Sequence, residues 1–165
     1  MKKTTILLFA ILIGSLSTYG QSPKKAAKYN DKIIDEQIQI VIKIDSLIET
    51  YTTFINPDIQ IAYDEAVKQV DKSIKVVKKM PKFDKSDTFK NNALTLFETY
   101  KSILENEHKE MVRLYALPDA DFNQEQANKW DKLAEAADAK TQKAIDKFKT
   151  EQQEFADKYN LNLTD

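Results

Sequence analysis

The sequence predicts an all-α fold, an antiparallel up-down-up-down bundle of four long helices behind a short leader. Three observations carry this expectation. Apolar residues recur at helical spacing through four long stretches. All four prolines, Pro23, Pro57, Pro81 and Pro118, fall in the gaps between those stretches; proline is tolerated in the first turn of a helix and breaks its interior, so these positions punctuate. Both glycines, Gly14 and Gly20, lie in the first twenty residues. The rest of the chain therefore lacks the residues that tight hairpins and phosphate-cradling loops require, and is expected to avoid positive φ.

The opening MKKTTILLFAILIGSLSTYGQSPKK has the layout of a secretory signal peptide. Two lysines precede an apolar run from Ile6 to Ile13, followed by small and polar residues, with cleavage expected after Gly20. The run falls well short of the roughly 20 residues that span a bilayer. The chain has no cysteine, which excludes a lipoprotein anchor, disulfides, thiol catalysis and cysteine metal sites. Loss of residues 1–20 takes away Lys2 and Lys3 and no acid, moving the formal charge from −1 to −3. A mildly acidic chain of this kind is poorly suited to nucleic acid. The remaining 145 residues suit one domain, residues 21–165.

The first helix is expected from about Lys24 to Phe54, the second from Pro57 to Lys79, the third from about Asp87 to Tyr115 and the fourth from Gln124 to Tyr159. Asn56 before Pro57 reads as an N-cap, and Asn123 with Gln126 has capping-box spacing. The connections are short, which favours antiparallel neighbours. The seams run through Ile33, Ile40, Leu47 and Tyr51; Ile59, Ala66, Val70 and Val77; Phe89, Leu96, Leu104 and Met111; Trp130, Ala137, Phe148 and Phe155. One run argues back: IQIVIKI, Ile38 to Ile44, is β-branched and alternates with period two, as a strand does. It sits inside some thirty residues without Gly or Pro whose flanking seam keeps helical spacing, and helix is expected there.

The one stretch resembling chemistry is LENEHKEM, Leu104 to Met111, which holds the only histidine. Di-iron bundles need a Glu-x-x-His from each of two helices, and a single histidine cannot supply both in a monomer. At about 100° per residue Glu105 falls away from the seam, Glu107 inside it and His108 at its edge. Haem fails because Met111 shares a helix face with His108 and Met80 lies about 30 Å away, and zinc fails for want of further ligands. A soft copper contact at His108 and Met111 has only two ligands. Glu107 is the better anomaly: it falls level with Tyr51, Tyr63, Tyr115 and Trp130, where Tyr and Trp hydrogen bonds are expected to satisfy it or solvent to reach it. Neither a serine triad nor another nucleophile arrangement is present, so no enzyme, metal or cofactor is expected.

Two outer surfaces stand out. Ile38 and Ile42 form an i,i+4 pair on an acidic side of the first helix, suited to a homodimer or partner contact or else to packing over a wider arc. Lys68, Lys72, Lys75 and Lys79 line one flank of the second helix, suited to acidic head groups or envelope polymers or else to plain solvation. The leader, the stretch AAKYNDKIIDEQ (Ala26 to Gln37) and the cysteine-free helical remainder resemble a family of uncharacterised bacterial secreted and surface proteins. The resemblance implies an envelope location, periplasmic or at the surface, and no catalytic residues. The expected function is a binding or structural module with a protein or envelope component as partner; the alternative is a small-molecule or metal carrier using the aromatic end near Glu107 and His108.

Overall fold

The computed structural model describes residues 10–12, 22–53 and 56–164. It is helical apart from one short ribbon in which β1 (Ala10–Leu12) pairs antiparallel with β2 (Asn162–Thr164), Ala10 opposite Thr164. The helices are α1 (Pro23–Thr53), α2 (Asn56–Lys79), α3 (Thr88–Ile103), α4 (Lys109–Tyr115) and α5 (Gln124–Tyr159). A π-helical segment, Leu104–His108, joins α3 to α4 with α-helical dihedrals on both sides, so these three pieces form one rod. None of the described helices is long and apolar enough to cross a membrane. The cleavage point after Gly20 lies outside the described residues, as do the Asn56 and Pro57 side chains on which that N-cap expectation rests.

The core is continuous along the helices. α1 buries Ala26, Ile33, Ile40, Leu47 and Tyr51; α2 buries Ile59, Ala66, Val70 and Val77; α3 buries Phe89, Ala93, Leu96, Phe97 and Tyr100; α5 buries Ala137, Ile145, Phe148 and Phe155. The alternating run Ile38–Ile44 is helical throughout. β-branched residues cost a helix about 0.5 kcal/mol each, whereas full burial of an isoleucine such as Ile33 or Ile40 contributes about 1.5–3 kcal/mol. Packing therefore decides the conformation. α1 packs mainly on α2, α2 on α3, and α3 on α5.

Two polar pairs tie the helices together within this core. Gln152 of α5 donates to Asn30 Oδ1 of α1 at 2.9 Å, and the Ser73 hydroxyl of α2 donates to Glu36 Oε2 of α1 at 2.7 Å. Their levels fix how far each helix can slide, because a shift leaves a buried polar group without its partner.

Contrary to the expectation from a glycine-poor chain, two residues take positive φ: Asp87 at 51° and Asn160 at 54°. Asp and Asn tolerate this region better than other non-glycine residues. Asn160 ends α5, where the Leu161 N–H donates to Ala156 O at 2.8 Å, an arrangement that satisfies the last carbonyls. At the start of α5, Asn123 Oδ1 accepts from Glu125 N–H at 2.8 Å and Gln126 N–H at 3.3 Å, as the capping-box spacing implies.

Asp87 belongs to a hydrogen-bonded corner that closes one end of the core. Asp84 Oδ1 accepts from the Asp87 N–H at 2.7 Å and the Ser86 hydroxyl at 2.8 Å; its Oδ2 accepts from Lys158 Nζ at 2.7 Å and the Tyr159 hydroxyl at 2.9 Å. Asp87 pairs with Lys90 at 2.5 Å, and the Tyr29 hydroxyl donates to Pro81 O at 3.0 Å. Partial burial would raise the Asp84 carboxyl, but the bonds from Lys158, Ser86, the Asp87 N–H and Tyr159 outweigh it and hold the group well below the usual carboxylate range.

Asp84→Ala is expected to lower the unfolding free energy by about 2–3 kcal/mol, since it strips two elements of a shared acceptor, whereas Lys158→Ala removes one exposed ion pair worth under about 1 kcal/mol. Because the folded pKa is depressed, the carboxylate's contribution is present above the ordinary carboxylate pKa of about 3.9 and is lost as pH falls below it. Urea titration of both variants at neutral pH checks the order; equal losses would deny Asp84 its role.

Candidate functional site

The π segment sets the geometry at the opposite end. Its i→i+5 turn is wider than an α turn, so each residue advances by roughly 80° rather than 100°. Over Leu104–His108 the lag turns His108 from the seam's edge toward its centre and Glu107 toward α5, where Lys140 meets it. The burial of Glu107 agrees with the α-helical expectation, while His108, expected at the edge, is buried with it. Both residues are buried, at 7 % and 5 % exposure, while Glu105 is exposed as expected.

His108 meets α1. Its Nδ1 shares a hydrogen bond of 3.0 Å with the Tyr51 hydroxyl, and the two rings lie nearly parallel with centroids 6.0 Å apart. Tyr51 also stacks on Tyr115 at 5.3 Å, and Tyr115 donates its hydroxyl to the Tyr51 carbonyl at 2.6 Å. Trp130 of α5 stands edge-on to both tyrosines, at 5.9 and 6.1 Å. Burial pushes the Tyr51 phenol far up and the His108 imidazole down to about 4, although the nearby Glu107 carboxylate favours its protonation. At neutral pH the cluster is therefore an uncharged, hydrogen-bonded stack.

Glu107 does not enter it. Its Oε1 accepts from Lys140 Nζ of α5 at 2.6 Å, and Lys140 is half exposed. Neither Glu107 Oε2 nor Trp130 Nε1, both buried atoms, has a hydrogen-bond partner among the described residues. Tyr63 is half-buried on α2 at the same end; burial raises its phenol first and the Glu105 carboxylate adds to that. Met111 is buried in the core. The structure thus joins Tyr51, His108, Tyr115 and Trp130 directly, diverts Glu107 to Lys140, and leaves Tyr63 and Met111 at the periphery. Among the described residues no three His, Asp or Glu side chains converge on a point where a metal would bind.

The outer surfaces divide differently. Ile38 packs against the core, which answers to the wider-arc alternative, while Ile42 is 52 % exposed. Ile61 on α2 and Phe122 before α5 are also exposed and carry no signal in the sequence, since single apolar residues on surfaces are common. Lys68, Lys72, Lys75 and Lys79 are all exposed, and none forms an ion pair among the described residues. Lys79 lines an open groove of about 450 Å³ between α1 and α2, whose opposite wall carries Lys25, Lys28 and Lys32. A second, smaller groove of about 240 Å³ between α3 and α5 is lined by Lys140, Lys143, Lys147 and the apolar floor of Leu96, Ala144 and Phe148. The lysines of α1 were open to sequence reasoning, since 25, 28 and 32 share one helix face; that they adjoin the α2 row depends on the register of the two helices.

In comparisons with known proteins, no family model matches the chain, and no curated protein or solved structure is significantly similar to it.

His108 titrates near 6.5 in an unfolded chain and at about 4 in the fold, so between these values the unfolded chain holds the additional proton. The stability contribution is full above about pH 6.5 and falls away as pH drops to about 4, by roughly 3 kcal/mol. Chemical denaturation of the native chain and of His108→Gln across this range is expected to show the steeper loss in the native chain alone. Parallel curves would rule out a buried neutral imidazole.

Proposed function

We propose that the chain is an exported protein of a bacterial envelope or surface, with residues 1–20 as a cleaved leader and the remainder forming an antiparallel up-down-up-down four-helix bundle that binds a partner without catalysing a reaction. The helix-end contacts support the bundle. Tyr29, near the start of α1, meets Pro81 beyond the end of α2, and Tyr51, near the end of α1, meets His108 and Tyr115 at the end of the third rod. On this reading the β1–β2 ribbon belongs to the precursor, because cleavage after Gly20 removes β1.

The observation that carries the binding reading is the composition of the outer face of α1 and α2. Beside the pair Lys43–Glu65 that joins α1 to α2, it gathers two rows of lysines without ion pairs among the described residues and the exposed Ile42 and Ile61. Charged groups left free and apolar groups left exposed on the same side are features of a contact surface.

A second reading, a small-molecule carrier, has its own observation. Glu107 Oε2 and Trp130 Nε1 are buried without partners among the described residues, next to a π segment, and π turns recur at functional sites. A ligand with a donor for the carboxylate and an acceptor for the indole would satisfy both.

Two measurements separate these readings. The protein purified from its host is expected to sediment with isolated cell envelopes and to show the same mass in native and denatured mass spectrometry. Failure to sediment would remove the envelope-binding reading. A bound mass lost with Glu107→Gln or His108→Ala would install the carrier in its place.

A further inference from the structure

Resting on the envelope-binding reading, the structure assigns the α1–α2 groove to a linear anionic polysaccharide, bound lengthwise between two rows of lysines. Lys25, Lys28 and Lys32 on α1 and Lys72, Lys75 and Lys79 on α2 have the same i, i+3, i+7 spacing, which places successive ammonium groups on one face about 5–6 Å apart at their Cβ atoms. Four of the six line the groove, whose floor is Tyr29, Val76, Met80 and Pro81, and Lys72 and Lys75 extend the row along α2. All six are exposed, and none has an ion-pair partner among the described residues.

The arrangement works against the stability of the isolated chain. The first turn of α1 has no acidic residue and carries lysines at the positive end of the helix dipole, and the α2 row repels it across the groove. Asp31, Asp35 and Glu36 are acids close by on α1; Glu36 is engaged by the Ser73 hydroxyl, and none of the three pairs with these lysines among the described residues. A ligand with repeated negative charge relieves this repulsion along its whole length.

Three features select a polysaccharide over other polyanions. Lysine, unlike arginine, presents a hydrated point charge without a planar fork, and 24 of the 25 basic residues are lysine, which suits repeated carboxylate or sulfate groups at loosely fixed positions. The exposed large apolar residues, Ile42, Ile61 and Phe122, are absent from the groove, whose apolar lining, Tyr29, Val76 and Met80, is buried or half-buried, so the groove itself has no large exposed side chain to insert into a bilayer as interfacial helices do. Single-stranded nucleic acid is held by stacking on exposed aromatic rings, and Tyr29 is unsuited to that: it is buried, packs on Phe83 at 4.8 Å and binds Pro81 through its hydroxyl.

The test is binding of polygalacturonate and heparin to the purified protein at low salt, by calorimetry, beside phosphatidylglycerol vesicles and an oligothymidylate. The triple charge reversal Lys28→Glu, Lys32→Glu, Lys79→Glu is compared with a control of equal charge change on α5, Lys132→Glu, Lys143→Glu, Lys147→Glu. Polysaccharide affinity is expected to fall by at least about tenfold in the first variant and by less than about threefold in the second, and to weaken with salt. Equal losses in both would reduce the effect to net charge and overturn the proposal, as would tighter binding of vesicles or oligothymidylate, or no polysaccharide binding at all. If the proposal fails while the protein and its first variant still sediment with envelopes, the binding-module reading stands with another partner; if sedimentation fails too, both fall.

Discussion

Tyr29 and Tyr51 stand 22 residues apart on α1, about 33 Å along a helix axis, and the closure of the two ends of the core depends on them. At one end the Tyr29 hydroxyl joins the α2–α3 corner through Pro81, and its ring packs on Phe83, which in turn meets Phe155 and Tyr159 of α5. At the other the Tyr51 hydroxyl reaches His108, and its backbone carbonyl takes the Tyr115 hydroxyl. Between them the seam is largely apolar, so the constraint is one of length: both aromatic ends meet their partners only if the helices pair at a single register. The polar pairs Gln152–Asn30 and Ser73–Glu36 enforce the same register from inside. A slide by one turn would bury several polar atoms without partners at once.

Much of this was legible in the sequence, for reasons that can be named. Helical spacing of isoleucine, leucine and phenylalanine is a direct image of burial, and Ile33, Ile40, Leu47, Val70 and Leu96 are buried where that spacing puts them. The start of α5 was legible because a cap is local: Asn123 needs only the next three residues to act. The corner at Asp84 was not. Its four donors come from residues 86, 87, 158 and 159, two of them a whole bundle length away in sequence, and nothing local marks Asp84 as more than another acid in a charged loop. Asp87 escaped for a related reason: the absence of glycine argues against positive φ in general, yet a corner with enough hydrogen bonds holds an aspartate there.

The π segment shows where periodicity itself stops being a guide. An α-helical count through LENEHKEM is correct up to Leu104 and then drifts, because each wider turn withholds some 20° per residue. The drift turns the imidazole, which burial keeps neutral, toward Tyr51, while the buried carboxylate of Glu107 is turned to where Lys140 reaches it. A straight α-helix would have centred Glu107 among Tyr51, Tyr115 and Trp130, and an unpaired carboxylate there costs more than a neutral ring. The inserted residue therefore resolves an electrostatic conflict that the sequence alone poses. What it leaves over is the second carboxylate oxygen of Glu107 and the indole N–H of Trp130, buried atoms to which a bound molecule would add hydrogen bonds that the described protein groups do not supply.

Charge is handled in two ways across the molecule. Toward α3 and α5 it is tied into the fold: Lys101 to Asp71, Lys129 to Glu110, Lys140 to Glu107 and Lys158 to Asp84 each bridge two helices or a helix and a loop. Exposed pairs contribute little individually, and Lys143 and Lys147 of the α3–α5 groove stay outside them. On the outer side of α1 and α2, Lys43 pairs with Glu65 at 2.7 Å, while the lysines of the two groove rows form no ion pair among the described residues. Stability offers no reason for lysine at the start of α1, where the helix dipole favours an acid. A surface that is electrostatically unfavourable for the fold and is matched in spacing on two adjacent helices is more economically explained by what it meets than by what it holds together.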